Sequence, residues 1–282
     1  MTVKTPTFPE RLLVAIDGSQ PSRNSAQAAV QIAHKQNLNI RGLFVVGARS
    51  ILEGDNDYKA ELNLSDSASP DDLMNDFQNQ GNDALDWLEE ICKLSNVPVQ
   101  SDLVFGGIPE MILEEARRDH FLALGRRGHV HLNSTDTLGE HFRSIVSRLH
   151  APILIGGAET TDFSCIYLVL TGEDEARKLL GWGEMLQKAF SCQVLISIYD
   201  DSKTHGNFSD SVSDLLNRSN LVNYKILPGP VRSADDIRMA AVDQHVDLIL
   251  MEGYRRVALG LWLEKHPIDD VLAASEITAL VV

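Results

Sequence analysis

The first half of the chain alternates short apolar runs with stretches of helical period. Leu12–Ile16 is a continuous apolar run, as a strand buried on both faces shows. It leads into Asp17-Gly18-Ser19. Pro21 then marks the first turn of a helix, where its missing N–H costs nothing. In that helix Ala26, Ala29, Val30 and Ala33 fall at i, i+3, i+4 and i+7, a single buried stripe. Gly42–Val46 is the next apolar run. Strand, helix and strand without a hairpin signal predict a parallel βαβ unit with a right-handed crossover. Residues 47–80 are polar and turn-rich, and predict a loop or lid over the carboxyl edge of the sheet. Asn82–Leu94 reads as a helix facing the core with Ala84, Trp87, Leu88 and Ile91. A strand over Val97–Phe105 follows, then the turn Gly106-Gly107-Ile108-Pro109 and a helix over Glu110–His120, acidic at its start and basic at its close.

Residues 121–155 complete this half. Phe121–Leu124 reads as a buried strand ending at Gly125, followed by Gly128 and, after ten further residues, Gly139. A helix over Phe142–His150 is stopped by Pro152, and Ile153–Ile155 is the next strand. Glycines let a backbone come close to a ligand, and the helix that follows offers unpaired N–H groups to phosphate oxygens. Glycines also sit in any tight strand-to-helix turn, so the spacing alone is weak and its weight comes from its place in the chain. Asp17 lies at the carboxyl end of the first strand, where open parallel sheets bind ligands. The same carboxylate in the same place also suits a helix cap.

After a polar connector the order begins again. Ile166–Leu170 runs into Thr171-Gly172, and a helix carries Trp182, Met185, Leu186 and Ala189. Strands at Val194–Tyr199, Val222–Leu227, Val246–Met251 and Thr278–Val282 alternate with helices near Val212–Arg218, Ala234–His245 and Ile268–Ser275. The repeat period is roughly 155 residues, an internal duplication. The expected architecture is α/β: two tandem domains, residues 1–157 and 158–282, each a five-stranded parallel, Rossmann-like sheet with helices on both faces. The final strands of the two halves are exposed-edge candidates. Pairing them covers a hazardous edge and makes the chain an internal pseudo-dimer, and a homodimer of whole chains is compatible with that.

Composition narrows the partners. The 282 residues are 44% apolar and carry a net charge of −15, which disfavours duplex nucleic acid or an anionic membrane surface as the main partner. No run reaches the length of a membrane span. Cys92, Cys165 and Cys192 are far apart and odd in number, as expected for buried thiols in a reducing, cytoplasmic setting. His129, His131 and His141 flank the glycine loop without a cysteine to complete a metal site, so they read as solvated. Asp200-Asp201 and Asp269-Asp270 suit turns and helix starts better than acid–base chemistry. No nucleophile–base pair and no catalytic residue emerges.

Taken in order, Asp17-Gly18-Ser19, Gly107-Ile108-Pro109, Leu124-Gly125-Arg126-Arg127-Gly128, Gly139 and His150–Ile155 resemble the universal stress protein family in its tandem form, over nearly the whole chain. That resemblance implies the adenine nucleotide alpha hydrolase-like fold and an adenine-nucleotide ligand, ATP or a relative of it. The family's nucleotide-binding members carry Gly-x2-Gly-x9-Gly-Ser/Thr. By resemblance Asp17 lies beside the adenine or ribose, the backbone near Val45 meets the adenine, and Gly125, Gly128 and Gly139 line the ribose and phosphates, with Gly18 and Gly107 counted in the same nucleotide site. Here the second spacing is ten, and the Ser/Thr position holds Glu140, with Phe142 two residues on. A carboxylate at a helix start repels phosphate and uses the same N–H groups. Arg126 and Arg127 either offset that charge or are solvated loop residues, and Ser134, Thr135 and Thr137 offer hydroxyls from the longer loop. In the second half Thr171 replaces the strand-end Asp, Met251–Arg256 replaces the glycine motif, and only Gly253 and Gly260 remain, beside bulky Leu261 and Trp262. The expected function is a stress-response protein that binds an adenine nucleotide through its first half, with ATP hydrolysis weak at most. The alternative is a scaffold that acts through protein contacts.

Overall fold

In the computed structural model, residues 6–47, 70–127, 138–157, 162–199, 208–252, 270–272 and 276–282 are described. Residues 48–69 of the loop or lid expected over 47–80, the loop from Gly128 to Thr137 with two of the three flanking histidines and its hydroxyls, Asp200-Asp201, and the stretch from Gly253 to Asp269 lie outside them, while residues 70–80 of that expected lid are helix. The chain divides into two compact units, residues 9–156 and residues 157–282 with the N-terminal segment up to Phe8.

The first unit runs β1 (Arg11–Ala15), α1 (Gln20–Gln36), β2 (Asn39–Gly47), α2 (Pro70–Leu94), β3 (Val99–Gly106), α3 (Ile108–Asp119), β4 (Leu122–Leu124), α4 (Glu140–Val146) and β5 (Ile153–Ile155). Its strands are parallel in the order β3-β2-β1-β4-β5. β1 pairs on one side with β2 (Ala15 opposite Leu43) and on the other with β4 (Ala15 opposite Leu124). A strand so placed has no solvent face, which is why Leu12, Leu13 and Val14 are fully buried and why the run does not alternate. Helices α1 and α2 pack together over one face of the sheet, and α3 and α4 over the other.

The second unit repeats this plan. It contains β6 (Cys165–Leu170), α5 (Glu173–Phe190), β7 (Gln193–Ile198), α6 (Phe208–Asn217), β8 (Tyr224–Ile226), α7 (Ala234–Asp243), β9 (Leu248–Met251) and β10 (Thr278–Val281). The parallel order is β8-β7-β6-β9-β10, the same winding as in the first unit. Asp247 ties the start of β6 to β9, its carboxylate accepting from Ser164 N, Ser164 Oγ and Cys165 N at 2.7–2.9 Å. The N-terminal segment packs on α5, where the Phe8 ring meets Trp182 edge-on at 5.0 Å. Among the described residues no helix is long and apolar enough to cross a membrane.

Three elements depart from expectation, the first being α4, which spans Glu140–Val146 in place of the expected Phe142–His150. Helix α2 begins at Pro70, twelve residues before the expected Asn82. Pro70 with Asp71 and Asp72 is a helix start, and Leu73 and Phe77 extend the apolar face that Ala84, Leu85, Leu88 and Cys92 continue. Polar residues between these anchors read as loop because they form the solvated side. Strand β8 is only three residues long and exposed throughout, leaving Val222 outside it and 87% exposed.

Under α3 the sheet carries a charge network. Arg41 on β2 donates to Asp102 at 2.7 Å, to Glu115 at 2.5 Å and to Asp119 at 3.5 Å, while Arg11 on β1 donates through Nε to Asp119 at 2.7 Å. Burial opposes the Arg41 charge, but the hydrogen bonds to Asp102 and Glu115 outweigh it and raise the pKa. Removing one partner of a buried network leaves the others uncompensated. Asp119→Ala is therefore expected to destabilise the first unit by about 3 kcal/mol, read as a lower urea midpoint; an unchanged midpoint contradicts a structural role for the network.

Candidate functional site

In an open parallel sheet the ligand crevice lies where the strand order reverses, at the carboxyl ends of the two strands that flank the reversal. In the first unit these are β1 and β4, and the residues leaving them are Ile16-Asp17-Gly18-Ser19 and Gly125-Arg126-Arg127. Gly18 has φ 85, a backbone that a side chain disfavours, and it turns the chain sharply into α1. Asp17 is half-buried, and its Oδ1 accepts from Ser19 N at 2.9 Å. It does not cap α1. That role falls to Ser19, whose Oγ accepts from Ser22 N at 3.4 Å.

A ladder of serines on α1 fixes the floor of the crevice. Ser25 Oγ donates toward Leu124 O at 2.7 Å and Pro21 O at 3.1 Å, and accepts from Gly156 N at 2.7 Å. One hydroxyl thus serves the carboxyl ends of both β4 and β5. Ser22 Oγ accepts from Asp17 N at 3.3 Å, and Ser19 Oγ donates to Arg127 O at 3.4 Å. Ser19, Ser22 and Ser25 are all buried. Gly125 makes this close approach feasible: a Cβ there would sit 2.8 Å from Ser22 N and 3.1 Å from Pro21 C.

Of the residues singled out in the sequence, Asp17, Gly18, Gly125, Arg126, Arg127 and Gly139 come together. Gly139 joins them because its N–H donates to Arg126 O at 3.0 Å where it caps α4. Arg126 is no solvated loop residue. It is buried, and Nη2 donates to Gly156 O at 3.2 Å, bracing the end of β5. Arg127 is half-buried, and its Nε is buried without a hydrogen-bond partner. Val45 extends β2 two residues beyond Leu43, level with Asp17 across the pairing with β1. Gly107 caps α3 at the end of β3, which pairs with β2 and not with β1, so it stands one strand farther out. Glu140 opens the backbone of α4. Phe142 is buried in the core, where it anchors α4 and offers nothing to a ligand. Gly128 lies outside the described residues.

The serine ladder and Gly156 were missed in the sequence. The signal was present, since Ser19, Ser22 and Ser25 recur every three residues, but serines near a helix start are too common to stand out.

The three cysteines are free and buried. Burial pushes the Cys92 thiol up to about 12, with Glu89 adding to it, and the Cys192 thiol up to about 11. Cys165 is raised as well, by burial and then by Asp247. Among the described residues no group of three or more His, Cys, Asp or Glu is placed to hold a metal ion.

The model of the universal stress protein family matches residues 9–155, which is the first unit and more than half of the chain. The chain belongs to the universal stress protein family. No curated protein matches it. Among solved structures, a universal stress protein from Archaeoglobus fulgidus DSM 4304 superposes with a TM-score of 0.74 at 13% identity, covering 97% of this chain and 98% of that one. A functionally unknown protein from Pseudomonas aeruginosa PAO1 gives a TM-score of 0.63 at 14% identity, covering 97% and 92%. At such identities the likeness speaks for the fold, which is that of universal stress proteins along both halves.

Ser25→Ala leaves Gly156 N and Leu124 O without their shared partner, and is expected to cost about 2 kcal/mol, read by urea denaturation; a neutral substitution would remove the ladder from the account. Folded Cys92 and Cys192 keep protons that an unfolded thiol, with its model value of 9.0, releases. Their contribution to stability is therefore full below about pH 9 and lost as the pH rises through the folded values. Thiol titration at pH 8 should find both unreactive until denaturant is added.

Proposed function

We propose that this universal stress protein binds one adenine nucleotide in the first unit, at the crevice between β1 and β4, and acts as a stress-response binding protein and not as an enzyme. The reading is supported by the place of Asp17 and the Gly125-Arg126-Arg127 turn at the switch point of the sheet, together with a buried Arg127 Nε that has no hydrogen-bond partner. A buried guanidinium N–H without a partner is costly in isolation and suits an anion. The Asp17 carboxylate, held by its own turn, suits ribose hydroxyls or an adenine amine. The backbone at Val45 lies level with it and suits the adenine edge. ATP, ADP and AMP all present this chemistry, and the phosphates would fall on the Gly125–Arg127 side. Among the described residues at the crevice none is placed as a general base, which supports ATP hydrolysis that is slow at most. We assign the protein to the cytoplasm, in keeping with three reduced, buried thiols.

A second reading, a scaffold that acts through protein contacts, is favoured by the second unit, where Thr171 Oγ1 donates to Glu252 Oε2 at 2.8 Å at the corresponding switch point. Isothermal titration with ATP, ADP and AMP decides between them. The nucleotide reading expects one site per chain, weakened at least tenfold, about 1.4 kcal/mol, by Asp17→Ala. Arg127→Ala should weaken ATP more than adenosine. A folded protein silent to all three nucleotides would leave the scaffold.

A further inference from the structure

Strand β8 is the outer strand of the second unit, and its free edge is unlike that of β3, the outer strand of the first. β3 runs eight residues, is half-buried along most of its length and packs under the 25-residue helix α2. The helix that precedes β8, α6, has ten residues and packs on α5. Tyr224 and Ile226 on β8, and Val222 just before it, are left exposed. The register fixes the direction of the two strand residues. Ile226 stands opposite Ile196, and Ile196 opposite Leu168, whose side chain lies against α5 at Gly183. Residues opposite each other in a parallel sheet share a face, and residues two apart stay on it, so Tyr224 and Ile226 form an apolar row on the α5 side.

The backbone of this edge is held on its inner side and open on its outer side. Val194 N donates to Asn223 O and Leu227 N to Ile196 O, both at 2.9 Å. Successive residues of a parallel strand turn their backbone groups to opposite sides, so Asn223, Lys225 and Leu227 serve β7, while the N–H and C=O of Tyr224 and Ile226 point outward. Upstream, the Gln187 side chain accepts from Val222 N and donates to Asn223 O, both at 3.0 Å. Glu184 accepts from Asn220 N at 2.9 Å and from Asn220 Nδ2 at 3.1 Å. Downstream, Val231 N donates to Ile198 O at 3.0 Å. An edge fixed at both ends loses little freedom when it gains a neighbour.

A second copy of the chain is a poor neighbour. The antiparallel register that uses both open residues sets Tyr224 opposite Ile226 and Lys225 opposite itself, and like charges so placed repel. Moving the two-fold axis to Tyr224 brings in Val222, whose N–H is taken by Gln187. Moving it to Ile226 brings in Pro228, which has no N–H. Lysine and proline on an edge strand guard against self-pairing. The same exposed lysine favours a carboxylate across from it.

We propose that the free edge of β8 is a docking site for an extended segment of another protein, which joins the sheet as an antiparallel strand with apolar residues opposite Tyr224 and Ile226 and a carboxylate opposite Lys225. The outward N–H and C=O groups supply the backbone bonds, the apolar row supplies burial, and Lys225 selects the partner. The site lies wholly in the second unit and does not depend on nucleotide binding by the first.

The test is an NMR titration of the isotope-labelled full chain with two end-capped pentapeptides, threonine–valine–glutamate–valine–threonine and the same peptide with lysine in place of glutamate. The proposal expects saturable shifts at the Tyr224 and Ile226 amides with the glutamate peptide, and binding about fivefold weaker with the lysine peptide. Lys225→Glu should reverse that preference. Ile226→Pro should abolish binding, since it removes an outward N–H and no bond of the ladder. Thermal melting checks that each variant is folded. No shifts at β8 with either peptide, a preference unmoved by Lys225→Glu, or binding that survives Ile226→Pro overturns the proposal. So does a dimer of the unaltered chain that Ile226→Pro dissociates.

Discussion

The structure depends on a parallel sheet whose order reverses beside a buried central strand. β1 is flanked by β2 and β4, so the connections that leave its end and that of β4 must diverge, and a crevice opens between them. Nothing in that geometry is specific to a ligand. What shapes the crevice is the way the ends are held. Ser25 Oγ bonds Leu124 O and Gly156 N together, and Gly125 admits the first turn of α1 to within van der Waals distance of the strand end. A crevice floor made of backbone, tied by buried hydroxyls, costs no reorganisation when a ligand arrives.

Duplication gives an internal control. Both units wind β3-β2-β1-β4-β5 or its equivalent, yet the side chains at the reversal differ in kind. In one, an aspartate faces a bare glycine and two arginines follow; in the other, a threonine and a glutamate bond to each other. The burial of Leu168, Leu250 and Leu280 shows that the second unit keeps its core. The same core thus supports different side chains at the reversal, as expected where packing decides fold.

Much of this was legible in the sequence. Apolar runs gave the strands to within a few residues because buried parallel strands cannot alternate, and Pro21 and Gly18 marked the turn into α1. The early start of α2 was not legible, since Leu73 and Phe77 stand among acidic and amide residues that also suit a loop. Within the site, Asp17 and the glycines could be named from their order, but the direction of each side chain could not. Arg126 and Arg127 are adjacent and identical, yet one braces Gly156 and the other keeps a buried N–H unpaired. The Thr171–Glu252 bond joins positions 81 apart in the chain, a contact that no local pattern announces.

The central claim is that the first unit holds an adenine nucleotide. It is tested most directly by denaturing freshly purified protein and separating what is released by chromatography with mass detection. The account predicts close to one adenine nucleotide per chain, with at least one phosphate. A protein that releases none, and still releases none after incubation with ATP and removal of the excess, would contradict it.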